Sequence, residues 1–235
     1  MHKRPATLFS ATVLGLFLLA LPARAEPPRV VASIKPLHSL VAMVLEGISE
    51  PYLIVRGASS PHGHALRPSD AKALADADVV FWVGPDLETF LIKPLETLPA
   101  SARVVRMMEG DEEHGREHDK EHNAAKEQHE GEAHGHGHEH GGDDPHIWLS
   151  PEHAVEMLER IADVMSATVP AQAARINKNR DRAIGDLIDV DAEVRRLVAP
   201  MHDEYLVVLH EAYHHFTEHY GLRDFIALSV TPEHK

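Results

Sequence analysis

Cysteine is absent from the 235-residue chain. That excludes a disulfide framework, thiolate metal ligation and a cysteine nucleophile, so any metal must be held by nitrogen and oxygen. Positive charge is also scarce: 23 Lys and Arg stand against 37 Asp and Glu, a formal net charge of −14. So acidic a chain is a poor partner for nucleic acid or anionic lipid and a good one for cations. After the N-terminal leader no apolar run is long enough to suggest a membrane span.

The leader has a character of its own. Met1-His2-Lys3-Arg4 is a basic start, Ala6 to Ala20 is almost unbroken apolar sequence, and Leu21-Pro22-Ala23-Arg24-Ala25 supplies a small-residue cleavage pattern. These features read as a secretory signal peptide cut after Ala25. Removing Lys3, Arg4 and Arg24 with it takes the formal charge from −14 to −17.

What the chain has in excess is histidine, 20 in all. Eight of them fall in residues 111–142, among ten acids, three bases and almost nothing apolar. Such a segment cannot bury enough surface to offset the entropy of ordering, so a disordered insertion is expected there. Within it His134, His136, His138 and His140 sit on a Gly-rich backbone suited to holding several metal ions weakly, as auxiliary sites.

Outside the insertion, strand-like and helix-like runs alternate. Strands are expected at Val30 to Ile34, Tyr52 to Val55, Val79 to Val83 and Arg103 to Met107. Helices are expected at Leu37 to Leu45, from a Ser69 cap to Asp76, and from Asp86 to Leu98 with a kink at Pro94. This order implies an α/β fold with a parallel sheet flanked by helices. Ser150-Pro151-Glu152 opens a helix to about Val169, and Pro170 opens a second through Val198, a rod of roughly 45 Å at the usual rise. A strand at Tyr205 to Leu209, a helix at Glu211 to Tyr220 and a strand at Phe225 to Ser229 follow. The expected division is an N-terminal α/β lobe over 26–149, a helical segment over 150–201 that joins two lobes, and the start of a C-terminal α/β lobe over 202–235. Two strands do not make an independently covered sheet. The second lobe is therefore expected to be incomplete, the sequence being a C-terminally truncated piece of a longer protein.

Three histidines share one context. His62 follows a strand and precedes a helix, His146 directly precedes the Ser150 helix start, and His210 ends the run Tyr205 to Leu209. Ligands of open parallel sheets bind beyond the carboxyl ends of the strands, and three imidazoles meeting there suit zinc. Asp143 or Asp144 is placed either to orient a ligand imidazole or to cap the next loop. A rival lies in His210-Glu211-Ala212-Tyr213-His214, which matches H-E-x-x-H, the zinc-protease motif. That mechanism needs both histidines on one helix, whereas Val207-Val208 reads as a strand. No catalytic residues are expected, and the chain is read as a binding protein rather than an enzyme. His214, His215 and His219 are expected to be exposed helix positions, with one of them available as a substitute ligand.

Gly57-Ala-Ser-Ser-Pro-His-Gly-His-Ala-Leu-Arg-Pro-Ser-Asp70, Asp144-Pro-His-Ile-Trp-Leu-Ser-Pro151 and Val207-Val-Leu-His-Glu-Ala-Tyr213 resemble the signatures of the cluster A-I, ZnuA-type zinc-uptake binding proteins. Val31-Ala-Ser-Ile-Lys-Pro-Leu37 is similar to their first strand and turn. The resemblance implies two α/β lobes joined by a long rigid helix, with Zn2+ between them on His62, His146 and His210. It further implies a periplasmic, monomeric binding protein that delivers its ion to the membrane permease of an ABC importer with its ATPase. A periplasmic zinc store or adhesin-like protein is the alternative of a different class. Pro61 stands where some relatives have a ligating Glu, which leaves the fourth ligand open.

Overall fold

The computed structural model describes residues 26–57, 59–98, 101–108 and 144–229. The leader, Asp143 and the insertion with His134, His136, His138 and His140 lie outside the described residues.

Four short strands, β1 (Val30–Ala32), β2 (Tyr52–Leu53), β3 (Val79–Trp82) and β4 (Arg103–Arg106), form one sheet in the order β2-β1-β3-β4. All pairs are parallel; Val31 of β1 lies between Tyr52 and Val80. β1 is buried throughout, as is β3 up to Phe81, the near-continuous apolar pattern of a sheet covered on both faces. The intervening helices are α1 (Lys35–Val44), α2 (Pro68–Ala75) and α3 (Ile92–Thr97). The first sheet matches the expected strands, each starting where expected and shortened only at its carboxyl end.

Several helix starts differ from expectation, α1 for example beginning at Lys35 rather than Leu37. α2 begins at an Arg67 cap, ahead of Ser69, with Pro68 in its first turn. The reason is Asp70, whose carboxylate accepts the Arg67 backbone N–H at 2.9 Å and the Tyr52 hydroxyl at 2.8 Å. Pro94 does not kink a long helix. The chain from Thr89 to Leu91 forms a 3-10 turn and α3 starts at Ile92, so Pro94 falls in the first turn, where a missing N–H costs nothing.

α4 (Pro151–Thr168) and α5 (Ala173–Val198) form an antiparallel pair against α1. α4 buries Met157, Leu158, Ile161 and Met165, and α5 buries Ile176 and Ala183. Asn179 of α5 donates from Nδ2 to the carbonyls of Val44 and Glu46 at 3.0 and 3.1 Å. It thereby satisfies backbone acceptors at the end of α1, where Gly47 turns the chain at φ 70°. Beyond Leu187 the helix leaves this core, with Ile188 and Leu197 exposed.

The far half of α5 meets the second unit. There β5 (Leu206–His210) and β6 (Phe225–Ser229) pair in parallel around α6 (His214–Tyr220). Asp191 of α5 accepts from His219 Nε2 at 2.9 Å, and Tyr220 also bonds to it. Burial and that bond push the Tyr220 hydroxyl up to about 12. His219 is therefore not an exposed helix residue: its side chain is 9 % exposed and joins α6 to α5. α6 is shorter than expected because Glu211 to Tyr213 remain outside it; it ends at Gly221, which adopts φ 62°. One face of the β5–β6 pair is uncovered, with Val207, Leu209, Ile226 and Leu228 exposed.

Sequence reasoning missed Glu88. It is fully buried, and its carboxylate accepts the backbone N–H groups of Val83 at 3.1 Å and Gly84 at 2.8 Å and the Ser33 hydroxyl. Burial raises its pKa against those bonds. The group ties the carboxyl end of β1 to that of β3, next to the loops that bear the candidate ligands. Replacing Glu88 with Ala strands three buried donors, and urea denaturation is expected to show a loss of about 1–3 kcal/mol. Stability unchanged within error would mean that water replaces the carboxylate there.

Candidate metal centre

Each predicted ligand is placed by a different piece of the fold. His62 sits in the turn between β2 and α2, where its backbone N–H donates to Ser60 Oγ at 3.3 Å. His146 caps the 3-10 turn Ile147–Leu149 that leads into α4, and only 7 % of it is exposed. His210 is the last residue of β5. Strand alternation gives it the half-buried face shared with Leu206 and Val208, while Val207 and Leu209 point outward.

These residues, distant in sequence, come together around His146. Its ring centroid lies 5.8 Å from that of His62 and 5.7 Å from that of His210, with the planes tilted by 54° and 60°. A zinc–nitrogen bond of about 2.0–2.1 Å puts a metal roughly 3.2 Å from a ring centroid, and a tetrahedral angle then separates two such centroids by about 5.2 Å. Both spacings lie within a small rotamer adjustment of that value. The three do not yet form a cage, since among the described residues no three His, Asp or Glu side chains are already gathered around one point.

Asp144 sets the orientation of the central ring. Its Oδ1 accepts from the His146 backbone N–H at 3.0 Å and lies 2.6 Å from His146 Nδ1. With the proton held on Nδ1, Nε2 keeps its lone pair for a cation. Burial alone would push the Asp144 carboxyl up, but the side-chain and backbone bonds from His146 together hold it below the usual range. Of the two candidate orienting acids, Asp144 performs this role among the described residues. The Asp144 carbonyl also accepts from His215 Nε2 at 2.8 Å, so His215, expected to be a free surface residue, fastens α6 to the His146 loop. His214 is exposed, as expected. His64 packs edge-on against Phe90 with centroids 5.0 Å apart.

The protease geometry is not formed. His210 ends a strand and His214 begins a helix, so the two imidazoles of the H-E-x-x-H string do not project from one helical face.

Comparison with known proteins agrees with this architecture. Residues 30–235 match the family described as zinc-uptake complex component A, periplasmic. The chain is 38 % identical to the high-affinity zinc uptake system protein ZnuA of Paracoccus denitrificans, over 97 % of this chain and 74 % of that protein. It is 40 % identical to the ZnuA of Brucella abortus strain 2308, over 88 % of this chain and 69 % of the relative. Among solved structures, the zinc-bound ZnuA-like domain of Streptococcus pneumoniae AdcA superposes with a TM-score of 0.66 at 22 % identity, over 86 % of this chain and 67 % of that one. The periplasmic zinc binding protein TroA of Treponema pallidum gives 0.68 at 20 % identity, over 88 % and 69 %. These two share the fold.

Burial lowers the His210 pKa below its ordinary 6.5, the nearby His146 adds to that, and Asp144 opposes it. The unfolded chain then binds the extra proton between the lowered value and 6.5, so metal-free stability rises with pH across that window and is lost as pH falls through it. Thermal melts at a series of pH values, compared with His210→Gln, check this; a slope that survives the substitution would assign it to another group.

Proposed function

The chain belongs to the ZnuA family of periplasmic zinc-uptake components, and we propose that it captures one zinc ion in the periplasm on His62, His146 and His210. The ion is then handed to the membrane permease of an ABC importer powered by its ATPase. The observation behind the assignment is the ring of His146, flanked at 5.8 and 5.7 Å by His62 and His210 and fixed by Asp144.

The donors fit the cargo. Three neutral imidazoles form a borderline-soft nitrogen set that suits zinc over magnesium or calcium, which take oxygen. Only small motions separate the rings from a shared tetrahedral ion, and a fourth position is left for water or another side chain. The protein performs no bond chemistry: its work is capture, orientation and release. Because each imidazole must be unprotonated to bind, affinity falls as pH drops through the histidine range. His62 and His146 belong to the first lobe and His210 to the second, so capture also draws the two lobes onto one ion.

Two regions outside the described residues complete the proposal. Residues 1–25 direct export and are cut after Ala25. Residues 111–142 act as a weak zinc reservoir beside the tight site, chiefly through His134, His136, His138 and His140. The mature protein works as a monomer.

Competitive zinc titration of the mature protein is expected to show one tight equivalent, lost in each of the His62→Ala, His146→Ala and His210→Ala variants, with weaker equivalents retained. A tight equivalent that survives all three substitutions would place the capture site elsewhere. Deleting 111–141 is expected to leave the tight equivalent intact while removing weak ones and slowing uptake at scarce zinc. Unchanged stoichiometry and uptake would remove the reservoir role.

A further inference from the structure

A second pair of histidines meets between α4 and α6, beside the site above. His153 lies on α4 and His215 on α6, yet their ring centroids are 5.0 Å apart at an angle of 82°. By the same bond-length arithmetic, two imidazoles on one tetrahedral zinc ion stand about 5.2 Å apart. His215 donates through Nε2 to the Asp144 carbonyl, which leaves Nδ1 with its lone pair. His153 Nδ1 is buried and has no hydrogen-bond partner, a position that costs free energy unless something fills it.

The sequence adds an independent sign. Each histidine is followed one helical turn later by a glutamate, as His153-Ala-Val-Glu156 and His215-Phe-Thr-Glu218. Residues three apart share a helix face, and all four line a single cleft of about 1000 Å³, although, as at the first site, no three of them yet stand around one point among the described residues. Helix bundles build carboxylate–imidazole metal sites from Glu-x-x-His pairs on facing helices; here the spacing is the same and the order is reversed. Glu218 has a side chain that is 74 % exposed, and its contact with His214 is long, at 4.0 Å.

We propose that His153 and His215, completed by Glu156 and Glu218, form a second site for a divalent cation of the zinc class. Two imidazoles with carboxylate oxygens are a donor set that zinc accepts. The site is weaker than the three-histidine site, since two exposed carboxylates must be ordered to close it. It stands without the three-histidine assignment. Its ligands also belong to opposite lobes, so filling it ties α6 to α4.

The test uses the full mature chain and zinc alone. Crystals grown with zinc and measured on both sides of the zinc absorption edge are expected to show an anomalous peak between His153 and His215. The peak disappears in His153→Ala and in His215→Ala, and competition titration of each variant counts one equivalent fewer. Circular dichroism melts identify a variant that does not fold, and the other then decides. Zinc beside His146 with none beside His153 at saturation overturns the second site, as does an unchanged count in both variants. Zinc beside His153 with none beside His146 supports the second site and instead defeats the three-histidine capture site.

Discussion

Asp144 is the knot on which the candidate centre depends. Through its carboxylate it fixes the ring of His146, and through its carbonyl it accepts a bond from His215 on α6. One residue therefore sets the tautomer of the central imidazole and fastens the second lobe to the loop that holds it. The following Pro145 favours an extended backbone at Asp144, which is compatible with its side chain turning back to the His146 N–H. Orientation of the ring and contact between the lobes are thus a single local arrangement rather than two separate devices.

The long helix supplies the frame around that knot. Its first half is part of the N-terminal core, buried through Ile176 and Ala183 and pinned by Asn179 to the end of α1. Its second half holds the other unit through Asp191, His219 and Tyr220. The helix changes environment along its length without changing conformation, as the exposure of Ile188 and Leu197 beyond Leu187 shows. Glu88 stiffens the opposite side, joining the ends of β1 and β3 where the first-lobe loops emerge.

Much of this is legible in the sequence. The buried strands announce themselves as apolar runs, and the spacing of Ile176, Ile184, Leu187 and Asp191 marks the face that α5 presents. The three separated histidines are recognisable from their place after strands or before helix starts, a rule of open parallel sheets rather than a property of each residue. What sequence hides is the partner of each polar group. Nothing local distinguishes His215 or His219 from exposed helix residues, because the acceptors that claim them lie 71 and 28 positions away. Glu88 reads as an ordinary surface acid until the turn at Gly84 folds its own N–H groups onto the carboxylate. Ser69 looks like the better cap, but Arg67 takes that place because Asp70 reaches back to its N–H.

The way α5 is anchored gives the molecule leverage. Asn179 grips one lobe and Asp191 the other, twelve residues apart, a span of about 18 Å at helical rise. A uniform bow of about five degrees over that span shifts the far end by about 0.8 Å. Coordinate bonds tolerate much less stretch than that. If the ion sits on the three imidazoles as proposed, its release does not require the halves to swing wide apart: a slight bow in one stiff beam would carry His210 out of bonding range while His62 and His146 stayed where they were.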